Sequence, residues 1–169
     1  MRISLSGITG DSIVDGPGLR LTIFTQGCLH HCPGCHNPQT HDPEGGSWAD
    51  TEDILAAAAE NPLLDGITLS GGDPFLQPVP CLALAEGAHK IGLNVWTYTG
   101  YTWEALLEEN DTEKLALLKE TDVLVDGPFL LAERSLELRF CGSRHQRVVD
   151  VKKSLAEGKV VLWEEPSYF

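Results

Sequence analysis

Short apolar segments alternate with longer helical segments along most of this 169-residue sequence. Such alternation is typical of α/β domains, in which helices connect parallel strands. The apolar segments predict strands over residues 18–26, 66–69, 94–98, 123–125, 148–151 and 160–163. The segments between them predict helices over residues 51–59, 79–91, 103–109 and 112–120, and a short helix that ends at Gly158.

Unusual polar or glycine-rich segments directly follow four of the predicted strands. They are the cysteine-rich loop after residue 26, Ser70 to Pro74, Thr99-Gly100 and Asp126 to Pro128. Because the carboxyl ends of parallel strands meet at one edge, these loops are expected to surround one ligand site. A complete eight-unit barrel typically needs about 250 residues. We therefore expect residues 1–169 to form a single domain, an incomplete and laterally open (β/α) barrel.

The charge and the apolar content exclude several classes of protein. The net charge is −13 at pH 7, which argues against a nucleic-acid-binding protein. No apolar run is long enough to span a membrane, and the first residues lack the features of a signal peptide. A cytoplasmic protein without membrane contact is expected. Six of the 12 Lys and Arg residues lie between Arg139 and Lys159, which suits a solvated helix face or a docking surface.

Three of the five cysteines form the closely spaced motif Cys28-x3-Cys32-x2-Cys35. Thiolates are the usual ligands of iron–sulfur clusters, and three of them leave one iron of a cubic cluster open for a substrate. The alternative is a structural zinc site, which usually takes its ligands as two separated pairs. The spacing therefore favours a cluster. The zinc alternative would recruit a nearby histidine as fourth ligand: His30, His31, His36 or His41.

The cysteine motif resembles the signature of the radical S-adenosylmethionine superfamily. Further segments resemble one branch of it, the activating proteins of anaerobic ribonucleoside-triphosphate reductase. These segments are Ser12 to Arg20, Gln26-Gly27, Leu69 to Pro74, Asp122 to Phe129 and Gly142 to Asp150. They follow the order of the family across nearly the whole chain, and the last two identify the branch.

The resemblance implies the cofactors and the partners. Cys28, Cys32 and Cys35 would hold one 4Fe-4S cluster, and its open iron would bind S-adenosyl-L-methionine. Reductive cleavage would give a 5′-deoxyadenosyl radical, which would take a hydrogen atom from a glycine in the large subunit of the reductase. A one-electron donor, flavodoxin-like or similar, is the second implied partner. An open barrel side would admit a loop of the reductase.

The resemblance also implies which residues contact the cofactor. Gly71, Gly72 and Asp73 correspond to the position that binds the methionine end. The backbone of Gly34, Cys35 and His36 corresponds to the adenine contact, and His36 replaces a frequent tyrosine.

Further contacts are expected at the ends of the later strands. Thr97 and Asp126 lie where ribose, carboxylate or cation contacts are expected, and Cys141 stands where relatives commonly have a basic residue. Three functional alternatives stay open. They are activation of another glycyl-radical enzyme such as pyruvate formate-lyase, radical chemistry on a small heterocycle, and a zinc-stabilised interaction module without catalysis.

Overall fold

The computed structural model describes residues 1–166. Within this range seven strands form one sheet in the order β3-β1-β2-β4-β5-β6-β7. The strands are β1 (Arg2–Ser12), β2 (Arg20–Thr25), β3 (Ser47–Asp50), β4 (Gly66–Gly71), β5 (Asn94–Tyr98), β6 (Val123–Asp126) and β7 (Arg147–Asp150). The helices are α1 (Thr51–Ala59), α2 (Pro78–Lys90), α3 (Trp103–Glu109), α4 (Thr112–Glu120) and α5 (Val151–Glu157).

The four central strands, β2, β4, β5 and β6, are parallel. This confirms the predicted α/β class with a parallel sheet. The outer strands differ, because β1 pairs antiparallel with both β2 and β3, and β7 pairs antiparallel with β6. The sheet is open, since its first and last strands do not pair with each other. The strand predicted over residues 160–163 is wrong, because Leu162 makes only an isolated bridge to Val149.

One face of the sheet is covered by helices and contains the main apolar core. Side chains alternate between the faces of a strand, so Leu21, Ile23, Ile67, Leu69 and Val95 all point to this layer. Helix α2 contributes a fully buried stripe to the same core, Cys81, Leu84, Ala85 and Ala88. Cys81 is therefore an ordinary buried core residue, as the sequence suggested.

The opposite face is more polar and lies beneath loops. Arg20 is fully buried there, and its guanidinium donates to Thr68 Oγ1 at 2.8 Å and to Asn94 Oδ1 at 2.6 Å. Burial lowers the pKa of Arg20 to about 10, so the group stays charged at neutral pH. Trp96 and Val125 form a smaller apolar cluster on this face.

Within residues 1–166, four of the five α-helices begin at a side-chain cap, and α2 does not. Asp50, Thr102, Asp111 and Asp150 each accept a hydrogen bond from an amide in the first turn of the following helix. None of the helices in residues 1–166 has the length and apolarity that a membrane crossing requires.

Candidate functional site

Loops that follow the four parallel strands surround one cavity of about 200 Å³ at the carboxyl edge of the sheet. This arrangement confirms the prediction that the four loops converge. The cysteine loop after β2 supplies Cys28, Cys32 and Cys35 to the wall. The other lining residues are Ser70, Gly71 and Gly72 at the end of β4, Tyr98, Thr99 and Gly100 at the end of β5, and Gly127 and Phe129 after β6.

Backbone hydrogen bonds fold the cysteine loop back on itself. The amide of Cys28 donates to the carbonyl of His41 at 3.1 Å, and that of Cys35 donates to the carbonyl of Cys32 at 3.1 Å. The amide of Asn37 donates to Cys35 Sγ at 3.4 Å. Cys28 is buried, whereas Cys32 and Cys35 are partly exposed to the cavity. The three thiols thus face one space from one loop.

Burial and backbone amides act in opposite directions on the Cys28 thiol. Burial raises the pKa of the Cys28 thiol, and the backbone amides of His30 and His31 act in the opposite direction. Amides directed at sulfur stabilise a bound thiolate. Among residues 1–166, no three His, Cys, Asp or Glu side chains converge closely enough to hold one ion.

The Gly71-Gly72 segment is pressed against the start of the cysteine loop. Gly71 has a φ of +96°, and a Cβ atom there would lie 2.4 Å from the backbone nitrogen of Thr25. A Cβ atom on Gly72 would lie 2.2 Å from the carbonyl oxygen of Gly27. Only glycine fits at either position, because the obstructing atoms are backbone. The two glycines therefore allow this segment to lie close to the end of β2 and to the start of the cysteine loop.

Asp73 lies behind the cavity wall rather than on it. Its carboxylate is buried and accepts hydrogen bonds from the amide of Phe75 at 3.0 Å and from Thr99 Oγ1 at 2.8 Å. The amide of Gly100 also donates to it at 3.0 Å, and His30 Nε2 lies 2.6 Å from its Oδ2. These contacts occupy both oxygens. Asp73 therefore holds the loops together, and the binding of the methionine end at Gly71 to Asp73 stays a prediction.

Thr97 and Asp126, where cofactor contacts are expected, have hydrogen-bond partners within the protein. Thr97 shares the helix-facing side of β5 with Val95, and its hydroxyl lies 3.0 Å from Thr121 Oγ1. Asp126 is buried beneath the loops and accepts from the amide of Trp103 at 2.7 Å and from Arg147 Nε at 3.1 Å. Neither residue lines the cavity. Because side chains alternate along β5, Thr97 points to the helices and away from the cavity. The carboxylate of Asp126 is held in an ion pair with Arg147.

The predicted adenine segment reaches the cavity through Cys35 and His36. The His36 ring packs 5.0 Å from the ring of Phe129, measured between centroids, and both rings line the wall. Gly34 has a φ of +74° and lies against Leu131, so it sets the turn and does not itself line the cavity. Cys141 packs with the small apolar cluster on the polar face of the sheet.

Sequence reasoning did not single out several residues of the cavity wall, namely Asp15, Asn37, Phe129, Gly142 and Gln146. Gln146 joins two loops, because its Oε1 accepts from the amide of Gly142 at 2.9 Å and its Nε2 donates to the carbonyl of Gly127 at 3.3 Å. Asp15, Phe129, Gly142 and Gln146 all lie within the segments that carry the family resemblance. Their position inside these segments is the sequence signal that could have indicated them as site residues.

The three thiols on one cavity wall of an open α/β sheet are typical of an iron–sulfur protein. A family model described as "4Fe-4S single cluster domain" matches residues 14–149 and agrees with this class. The relatives specify the class further. Proteins named anaerobic ribonucleoside-triphosphate reductase-activating protein include one from Salmonella typhi, 38% identical over 80% of this chain and 91% of the relative. The one from Vibrio cholerae is 35% identical over 79% and 89%, and that of phage T4 is 33% identical over 80% and 86%. The chain belongs to this family of activating proteins.

A solved structure also resembles this fold in part. The crystal structure of QueE from Escherichia coli is similar with a TM-score of 0.47 and 19% identity, over 60% of this chain and 54% of that chain.

Proposed function

We propose that this chain activates an anaerobic ribonucleoside-triphosphate reductase by generating a glycyl radical on the large subunit of that enzyme. One observation carries the proposal: three thiols of one loop and the Gly71-Gly72 backbone line the same open cavity. The names of its relatives in this family support the identity of the partner. The 4Fe-4S family model supports the class of cofactor.

Within this proposal, Cys28, Cys32 and Cys35 hold the 4Fe-4S cluster. When bound, the reduced cluster would supply the electron for cleavage of S-adenosylmethionine, and that cleavage would make possible the removal of a hydrogen atom from the glycine. The backbone near the thiols supports such binding, since the amide of Asn37 donates to Cys35 Sγ at 3.4 Å. This amide needs no reorganisation to stabilise negative charge on the thiolate.

The remaining residues of the cavity bind and orient S-adenosylmethionine in this proposal. Gly71 and Gly72 line the cavity and offer backbone carbonyls to the ammonium group of the methionine end. His36 and Phe129 present ring surface to adenine, with Gly34 and Cys35 contributing the turn beneath. Asp73 positions these loops and is not assigned a direct contact. Thr97 and Asp126 are assigned structural roles.

The proposal includes an incomplete barrel that is open at the side. The outer strands β3 and β7 do not pair with each other, so the sheet stays open, and the cavity is open to the surroundings. A glycine within a large protein cannot diffuse into a closed pocket, so an open side suits a loop of the reductase. A small one-electron donor of the flavodoxin kind and a cytoplasmic setting, where thiols stay reduced, complete the proposal.

Anaerobic reconstitution with iron and sulfide, followed by S-adenosylmethionine, a reductant and the reductase, tests this function. We expect 5′-deoxyadenosine and a glycyl radical signal in electron paramagnetic resonance. Replacing Cys28, Cys32 or Cys35 with Ala should abolish both products. Cys81→Ala is the matched control, because Cys81 lies in the core between the helices and the sheet. Full activity in any one of the three loop variants would refute the ligand assignment.

A further inference from the structure

His30 belongs to the cysteine loop, but its side chain leaves that loop to contact another. Its Nε2 atom lies 2.6 Å from Asp73 Oδ2, and the two side chains are 19% and 2% exposed. A carboxylate accepts hydrogen bonds and does not donate them, so His30 Nε2 carries the proton and donates it. The contact joins the loop after β2 to the loop after β4.

The same imidazole packs against the loop after β5. Its ring meets the edge of Tyr101 with 4.7 Å between centroids. A Cβ atom on Gly100 would lie 2.5 Å from His30 Cδ2, so the ring fills the space that the missing side chain leaves. Thr99 Oγ1 and the amide of Gly100 donate to the carboxylate that His30 contacts. Three loops of the cavity are therefore linked at one buried carboxylate.

The chain of the cysteine loop connects this contact to Cys28. His30 lies two residues after Cys28, whose thiol is buried and whose amide donates to the carbonyl of His41 at 3.1 Å. Movement of the cysteine loop relative to the loop after β4 would break the contact between His30 and Asp73.

We infer that His30 is a positioning residue that holds the cysteine loop in register with the loops that bind S-adenosylmethionine. The catalytic consequence rests on the proposed function, whereas the link itself is a property of the iron-free protein. A hydrogen bond to a charged, buried acceptor changes an equilibrium constant by roughly ten- to a hundredfold. Its loss should loosen the loop without removing a ligand of the cluster.

Alkylation of thiols in the iron-free protein tests the link directly. His30→Phe keeps a ring and removes the donor, whereas His30→Gln restores an N–H donor. At fixed pH we expect Cys28 to react about tenfold faster in His30→Phe than in the unmodified protein, and His30→Gln to stay within about threefold. His31→Phe is the matched control, because its ring packs on His41, 5.4 Å away between centroids. The control should also stay within about threefold.

Cys81 separates loosening of the loop from loss of the fold. It is fully buried in the core, so its alkylation reports global opening. Faster reaction of Cys28 with unchanged Cys81 supports the inference. An unchanged rate at Cys28 in His30→Phe would overturn it, as would an equal increase at both cysteines.

The reconstituted protein provides a second readout. His30→Phe should retain the iron content of the unmodified protein. The KM for S-adenosylmethionine should rise about tenfold, a larger fold-change than any decrease in kcat. An unchanged KM, or loss of iron in proportion to loss of activity, would overturn the positioning role. Failure of the proposed function has a different signature, because the unmodified protein would then leave S-adenosylmethionine intact while the alkylation pattern held.

Discussion

Gly71→Ala should destabilise the protein more than substitution at a glycine that only needs a positive φ. Gly71 and Gly92 have similar φ values, +96° and +83°. For either one, an alanine in this region costs about 1–2 kcal/mol. The difference lies in the surroundings, because nothing lies within 4 Å of a Cβ atom at Gly92, whereas backbone atoms of Thr25 lie 2.4 and 2.5 Å from one at Gly71.

The added cost at Gly71 follows from the hydrogen bonds that must shift. Moving the chain away from Thr25 disturbs the last pair of the β2–β4 register and the hydrogen bond from the Gly72 amide to the Thr25 carbonyl, 2.8 Å long. Each backbone hydrogen bond contributes about 1 kcal/mol. The free energy of unfolding should therefore fall by about 3–4 kcal/mol in Gly71→Ala and by about 1–2 kcal/mol in Gly92→Ala.

Urea unfolding of the reduced, iron-free protein measures both values, with the slope m confirming that the same surface is exposed. Equal losses in the two variants would refute the argument that close approach of Gly71 to β2 requires glycine. Loss of cluster binding without loss of stability in Gly71→Ala would refute it as well.

Three further predictions concern an ion pair, a histidine and the cavity wall. Arg147→Met should lower the free energy of unfolding by about 3 kcal/mol, because it leaves the buried Asp126 without its cation. Glu104→Gln, at the exposed end of the same network, should lower it by less than about 1 kcal/mol. Urea unfolding measures both values. Burial lowers the pKa of His89, but hydrogen bonds to Asp122 and Glu120 outweigh it and raise the pKa. The folded state therefore binds the His89 proton more tightly than the unfolded state does. The stabilisation by protonated His89 is complete below about pH 6.5 and is lost as the pH rises through the pKa of the folded state. His89→Gln should remove this decrease of the urea midpoint with pH, and an unaltered pH dependence would contradict the assignment. His36→Ala should raise the KM for S-adenosylmethionine by roughly three- to tenfold through lost ring contact, with His36→Tyr at or below the original value; an unchanged KM in His36→Ala would exclude adenine contact.

The sequence predicted the central fold because the buried parallel strands have strong apolar patterns. It did not reveal β1 or β3. Strand β1 contains Gly7 and Gly10, is interrupted by register shifts, and is mostly exposed beyond Leu5, so its alternation is weak. Strand β3 has four residues and is stabilised by pairing with β1, a long-range contact that local pattern does not encode.

The candidate site was predictable to the level of loops and less so to the level of side chains. The thiols and the two glycines lie on the wall because spacing and backbone geometry place them there. Thr97 could have been assigned correctly, because strand alternation gives it the same face as the apolar Val95. The contacts of Asp73 and Asp126 could not be predicted in this way, because their partners are distant in the sequence. Thr99 lies 26 positions from Asp73, and Arg147 lies 21 positions from Asp126.

The central claim is that three thiolates leave one iron of a cubic cluster free to bind S-adenosylmethionine. Mössbauer spectroscopy of protein reconstituted anaerobically with iron-57, recorded with and without S-adenosylmethionine, tests it most directly. We expect four irons per chain, of which one changes its isomer shift when S-adenosylmethionine is added. A spectrum unaffected by S-adenosylmethionine, or protein that takes up a single zinc ion in place of iron and sulfide, would contradict the account.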